Sequence, residues 1–144
     1  MRRLRDDDGS ILPLTIFYGA LSLVLVLLVV AATSLYLERK RLFTLADGAA
    51  LVGAEAYDLA DVATEGGGRR VALDSADVAS AVDGYIADYP TGRFDELAVR
   101  RAASDDGRSA TVSLSSRWSP PLVSLLVPGG VRIEVTAVAR SVLE

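Results

Sequence analysis

Cysteine and histidine are both absent from the 144 residues of this chain. Without cysteine there are no disulfides, no thiolate metal sites and no cysteine nucleophile, and the redox compartment stays open. Without histidine the chain lacks the commonest general base, the commonest zinc ligand and any Ser-His-Asp relay. A basic stripe is missing as well. The 15 Lys and Arg are scattered among 19 Asp and Glu, for a net charge of −4, so nothing tracks a nucleic-acid backbone and nucleic acid is not an expected partner. Acidic clusters do not repair the deficit. Asp6-Asp7-Asp8-Gly9 lacks the alternating ligand spacing of a calcium loop, and Asp74 with Asp77 and Asp105 with Asp106 fit caps and turns better than catalysis. No catalytic residue, metal site or cofactor is expected.

What the chain does have is one apolar run, Ile11 to Leu37, without a charged side chain. About 20 apolar residues cross a hydrocarbon layer of about 30 Å, so this run is long enough to span even when tilted. A cleaved signal peptide has a shorter apolar region of about 7 to 15 residues. The expected organisation is a short tail over 1–10, a transmembrane helix over 11–37, and about 100 residues for one small domain with a limited core.

Glu38-Arg39-Lys40-Arg41 forms a charged collar from which long cationic side chains can reach phosphate head groups while the helix continues. Beyond it Leu42, Leu45, Ala49, Val52, Ala56 and Leu59 recur at alternating steps of three and four, which predicts one apolar stripe on a helix. A single helix from about Leu12 to about Asp61 follows, its projecting part over 38–61. Pro13 falls in the first turn or two, where its missing N–H costs little. Ala46, Gly48, Ala49, Ala50, Gly53, Ala54 and Ala56 are all small, and Ala46, Ala50 and Ala54 stand four apart, a spacing that admits a closely packed helix. Leu42, Leu45, Ala46, Ala49, Ala50, Gly53 and Ala54 therefore make a candidate helix-packing interface. It serves either a lateral partner helix or the chain's own C-terminal domain.

Glu65-Gly66-Gly67-Gly68-Arg69-Arg70 lacks the Gly-Lys-Ser or Gly-Lys-Thr of a phosphate-binding loop, so 62–73 is a Gly-rich connector. Over 74–144 the pattern predicts a small α+β domain. Asp74 or Ser75 caps a second helix with Val78, Val82, Tyr85 and Ile86 on one side, ending at Tyr89-Pro90. Phe94 to Ala103 and Arg108 to Trp118 flank the turn Asp105-Asp106-Gly107 and pair as strands. Ala110, Val112, Leu114 and Trp118 alternate with polar residues, which predicts one buried and one wet face. Val131 to Val142 makes a last strand, with Val131, Ile133, Val135, Ala137 and Ala139 on one side. The apolar segment Leu122-Val123-Ser124-Leu125-Leu126 before it is either core filling or a partner site.

Several segments resemble the TadE/TadG-like family. They are Gly9-Ser10-Ile11-Leu12-Pro13, the long apolar helix, Tyr36-Leu37-Glu38-Arg39-Lys40-Arg41-Leu42, and Ala46-Asp47-Gly48-Ala49-Ala50-Leu51-Val52-Gly53-Ala54. These are pilin-like components of the Tad, or Flp, pilus-assembly machinery, and the resemblance is strongest over residues 9–56. The resemblance implies a structural, non-enzymatic subunit in the bacterial cytoplasmic membrane, N-terminus cytoplasmic and domain extracytoplasmic, with other pilin-like or Tad-type proteins as partners, a homo-oligomer among them. It also implies a candidate processing site between Gly9 and Ser10. Cleavage there would place Leu14 at the fifth mature position, where pilins carry Glu, so the chain looks closer to the uncut TadG-like side. Asp47 and Arg41 become candidates for charge pairing between subunits; pairing of Asp47 with Arg39 or Arg41 of its own helix is the plainer reading. Charge alone leaves orientation tied, because Arg2, Arg3 and Arg5 on one flank match Arg39, Lys40 and Arg41 on the other. The alternative function is a membrane-tethered binding or scaffold module of an envelope or secretion complex with no pilus, distinguished by whether the protein travels with surface fibres.

Overall fold

The computed structural model describes residues 11–56, 72–119 and 129–140. The apolar run and the projecting stripe join in one unbroken helix, α1 (Ile11–Ala54), of 44 residues, about 66 Å at 1.5 Å per residue. It ends short of the expected Asp61. At its end the Glu55 N–H is shared between the Leu51 and Val52 carbonyls and the Ala56 N–H reaches the Gly53 carbonyl, a tightening of the last turn that satisfies three of its last four acceptors. Residues 57–61, most of the connector, the tail with Gly9 and Ser10, and Leu122 to Val127 lie outside the described residues.

The second helix, α2 (Ser75–Asp88), starts as its sequence predicts: Asp74 is its extended N-cap, and a carboxylate oxygen accepts from the Ala76 N–H at 2.7 Å, satisfying one of the helix's free donors. It stops where Pro90 forces Tyr89 into the extended region, φ −82° and ψ 139°. A 3-10 turn over Thr91–Arg93 leads into β1 (Asp95–Ala103), which is followed by β2 (Ser109–Trp118) and β3 (Val131–Arg140). The sheet is an antiparallel meander in the order β1-β2-β3. This is the α+β architecture expected.

Register differs across the sheet. β2 and β3 pair without interruption from Ser109↔Arg140 to Trp118↔Val131. β1 slips twice against β2, and Glu96 takes a positive φ of 50° at the first slip. A bulge there re-aims side chains, and the Glu96 carboxylate meets Arg117 at 2.9 Å and Arg132 at 3.5 Å across the strands.

Both helices cover one face of the sheet, α1 over β2 and β3 and α2 over β1. The core between them is Leu42, Leu45, Ala46, Ala49, Ala50 and Ala54 from α1, Val78 and Val82 from α2, Ala110, Val112 and Leu114 from β2, and Ile133, Val135, Ala137 and Ala139 from β3. Two expectations need correction. The polar side of β2 is not wet: Ser113 and Ser115 are buried, because β2 is the middle strand and longer neighbours close over small side chains. Ser113 shares a 2.8 Å hydrogen bond with Thr136 and Ser115 accepts from the Arg100 guanidinium at 2.8 Å. Val131 is 46% exposed although its side of β3 is the buried one, since it lies at the strand's end, opposite Trp118.

Candidate functional site

Among the described residues no group of three or more Asp or Glu is placed to hold a metal ion, and the features that stand out are surfaces. The helix α1 carries most of them. Its first half is long and apolar enough to cross a membrane, and the domain buries none of that apolar window. Ile16, Phe17, Leu23, Leu28 and Val29 are all exposed in the isolated chain. Side chains apolar on every side suit a lipid surround rather than an aqueous one.

The second half is divided by face. Leu42, Leu45, Ala46, Ala49, Ala50, Gly53 and Ala54, the candidate packing interface, are the buried residues of α1. The structure places all seven in the chain's own core. Small side chains are needed here because the helix lies close to two elements at once: a Cβ at Gly53 would stand 3.1 Å from Val78 Cγ1, 3.3 Å from Ala110 Cβ and 3.4 Å from Val82 Cγ2. Gly48 has a different neighbour, since a Cβ there would collide with the Tyr85 hydroxyl. Of the two readings of the small-residue stripe, the intramolecular one describes what covers it. Any helix docking from outside would need a different, exposed face.

Such a face exists. Tyr36, Phe43 and Leu51 are 65%, 47% and 53% exposed, and with Lys40 and Asp47 they fall at steps of three and four along one side of the helix. Asp47 sits exposed in the middle of that side, and among the described residues it forms no ion pair with Arg39, Arg41 or any other cation. Arg41 turns elsewhere, into a groove shared with the 3-10 turn.

The domain also grips α1 at its membrane end. The Trp118 indole N–H donates to Ser34 Oγ at 3.2 Å, and Leu35 packs against the core. This contact is not visible in periodicity; the signal that could have found it is a lone Trp at the end of a strand, a residue favoured at membrane–water interfaces. Gly130 makes the return possible. It takes φ +59°, and a Cβ there would come within 2.8 Å of the Trp118 carbonyl oxygen. At the opposite end of the sheet, the Asp106 carboxylate accepts from the Arg108 N–H at 2.8 Å and the Ser109 N–H at 2.6 Å. These backbone bonds, Arg108 first, then Ser109, hold its pKa below the ordinary value of 3.8.

Residues 9–56 match the family model Tad, described as Flp pilus-assembly TadE/G-like. The match covers about a third of the chain and coincides with α1 and the two residues on either side of it. No curated protein and no solved structure matches the chain.

Proposed function

We propose that this chain is a structural, non-enzymatic, pilin-like subunit of a Tad/Flp-type pilus-assembly or related secretion apparatus. The supporting observation is the coincidence of the family match with α1: the matched segment is the element that both enters the bilayer and carries the domain. In this reading the first half of α1 anchors the chain in the cytoplasmic membrane, N-terminus in the cytoplasm and domain beyond it. One face of the second half is fixed to the domain core, so helix and domain move as one body. The side bearing Tyr36, Lys40, Phe43, Asp47 and Leu51 packs against the helix of a neighbouring subunit, of this chain or of another pilin-like protein. Asp47 there meets a cation of the neighbour's collar, and assembly proceeds by helix packing rather than by bond chemistry.

The absence of native cysteine makes the test direct. Single Phe43→Cys, Asp47→Cys and Leu51→Cys variants should cross-link to a neighbouring subunit in native membranes, whereas Asp83→Cys, exposed on α2, should not. Equal yields at Asp83 and at the three helix positions would refute docking through this side. The pilus assignment has its own test. Deletion of the gene should abolish or sharply reduce sheared surface fibres, and unchanged fibres would overturn it.

A further inference from the structure

Where α1 leaves the bilayer, Arg41 and Thr44 face Tyr89, Pro90, Arg93 and Phe94 across a groove of about 340 Å³. We infer that this groove binds the phosphate of an anionic phospholipid head group in the adjoining leaflet. Two guanidinium groups line it, and the ion pairs among the described residues lie elsewhere, at Arg101, Arg117 and Arg132. Two guanidinium groups lining one groove with no carboxylate among its lining residues favour an anion there, and guanidinium donors match phosphate oxygens bidentately. The remaining wall is Thr44, whose hydroxyl donates to the Lys40 carbonyl, with Tyr89, Pro90 and Phe94; the rings and the proline suit the glycerol and upper acyl carbons attached to such a phosphate.

Height selects the lipid. Arg41 stands four residues beyond Leu37, the last residue of the uncharged run, about 6 Å along the axis. The polar layer of each leaflet is about 5 to 7 Å thick outside the hydrocarbon, so the groove opens at the level of the phosphates. Trp118, bonded to Ser34 seven residues or about two turns before Arg41, ties the domain to the helix on the apolar side of the groove. The site would tie the domain's 3-10 turn to the membrane surface and fix the tilt at which the domain leaves it. The inference rests on membrane anchorage through α1 and is independent of the pilus assignment.

The test uses the full chain in zwitterionic micelles titrated with short-chain phosphatidylglycerol, with phosphatidylcholine and inorganic phosphate as the other ligands. The Arg41→Gln/Arg93→Gln variant should lose more than about a hundredfold in phosphatidylglycerol affinity, roughly fivefold for each cation near an anionic head group and the rest from the charge-assisted guanidinium–phosphate bonds. Arg39→Gln/Lys40→Gln removes the same charge from the collar outside the groove and should lose no more than the general part, about thirtyfold. Should the first variant fail to fold, as judged by Trp118 emission, Arg93→Gln alone should lose more than about fivefold. Equal losses from the two double variants would reduce the effect to general electrostatics, and phosphate binding as tightly as the lipid would mark a free-anion site; either result overturns the assignment. Failure of lipid binding by protein that still inserts into bilayers would leave the anchor reading intact.

Discussion

Replacing Gly53 by leucine is the sharpest perturbation of the contact between anchor and domain. Gly53 lies where α1 crosses α2 and β2, and even a methyl there would stand 3.1 to 3.4 Å from Val78, Ala110 and Val82. Those three neighbours are fully buried, so they can yield only by displacing others. A leucine brings three further carbons into the same space. Overpacking of a filled core costs about 1 to 3 kcal/mol, and leucine at this crossing belongs at the upper end. Leaving glycine returns roughly 1 kcal/mol in helix propensity. The net loss is about 2 kcal/mol, some thirtyfold in the folded-to-unfolded ratio and a large share of the stability of a small domain. Urea unfolding of the full chain in micelles, followed by Trp118 fluorescence and far-UV circular dichroism, measures it. The Trp118 transition should move to lower urea while the apolar half of α1 keeps its helical signal. A midpoint within about 0.5 kcal/mol of wild type would mean that the three elements do not meet at Gly53, and the packing argument would fall.

Gly48→Ala should go the other way despite its closer clash. The obstacle is the far end of the half-buried Tyr85 side chain, which can give way by a small rotation while its base stays packed on the core, so helix propensity should prevail with a gain of up to about 1 kcal/mol in the same urea titration. Ser34→Ala removes the acceptor of the Trp118 indole N–H; it should cost about 1 kcal/mol and shift Trp118 emission, while an unchanged spectrum would deny the contact. Asp106→Asn tests the β1–β2 turn. Because backbone N–H groups depress the folded pKa of Asp106 below 3.8, its contribution is complete above the unfolded value and disappears as pH falls through the folded one. The stability difference between wild type and Asp106→Asn should therefore be present at neutral pH and shrink on acidification below 3.8; a difference independent of pH would refute the charge as its source.

Much of this architecture was legible before any coordinates. An uncharged run from Ile11 to Leu37 is long and apolar enough to cross a membrane, and of the stripe read from steps of three and four, Leu42, Leu45 and Ala49 are buried while Val52 and Ala56 are half-buried and Leu59 lies outside the described residues. Asp74, Tyr89-Pro90 and Asp106-Gly107 set the ends of α2 and the turn between β1 and β2 through backbone chemistry that acts within a few residues. Strand limits were right to within a residue or two at most ends, and alternation picked out the core side of β2 and β3. The errors fell where a neighbour distant in sequence decides. Ser113 and Ser115 are polar and small, and only their place on a middle strand buries them. Val131 continues the apolar side of β3 but stands at its exposed end.

The division has a physical cause. Periodicity, capping and turn chemistry report the local preferences of the backbone and the side of an element that avoids water, and those are carried by residues close together in the chain. The sequence by itself therefore determined that α1 is one long helix, apolar throughout its first half and striped in its second, followed by a small α+β domain. It could not determine what lies against the stripe, because a partner helix and the chain's own sheet remove the same water from the same alanines. Tertiary structure decided that the chain's own core takes Ala46, Ala49 and Ala50, that Trp118 reaches Ser34, and that Arg41 shares a groove with Arg93. Each of these contacts joins residues far apart in the chain, and no local preference specifies them.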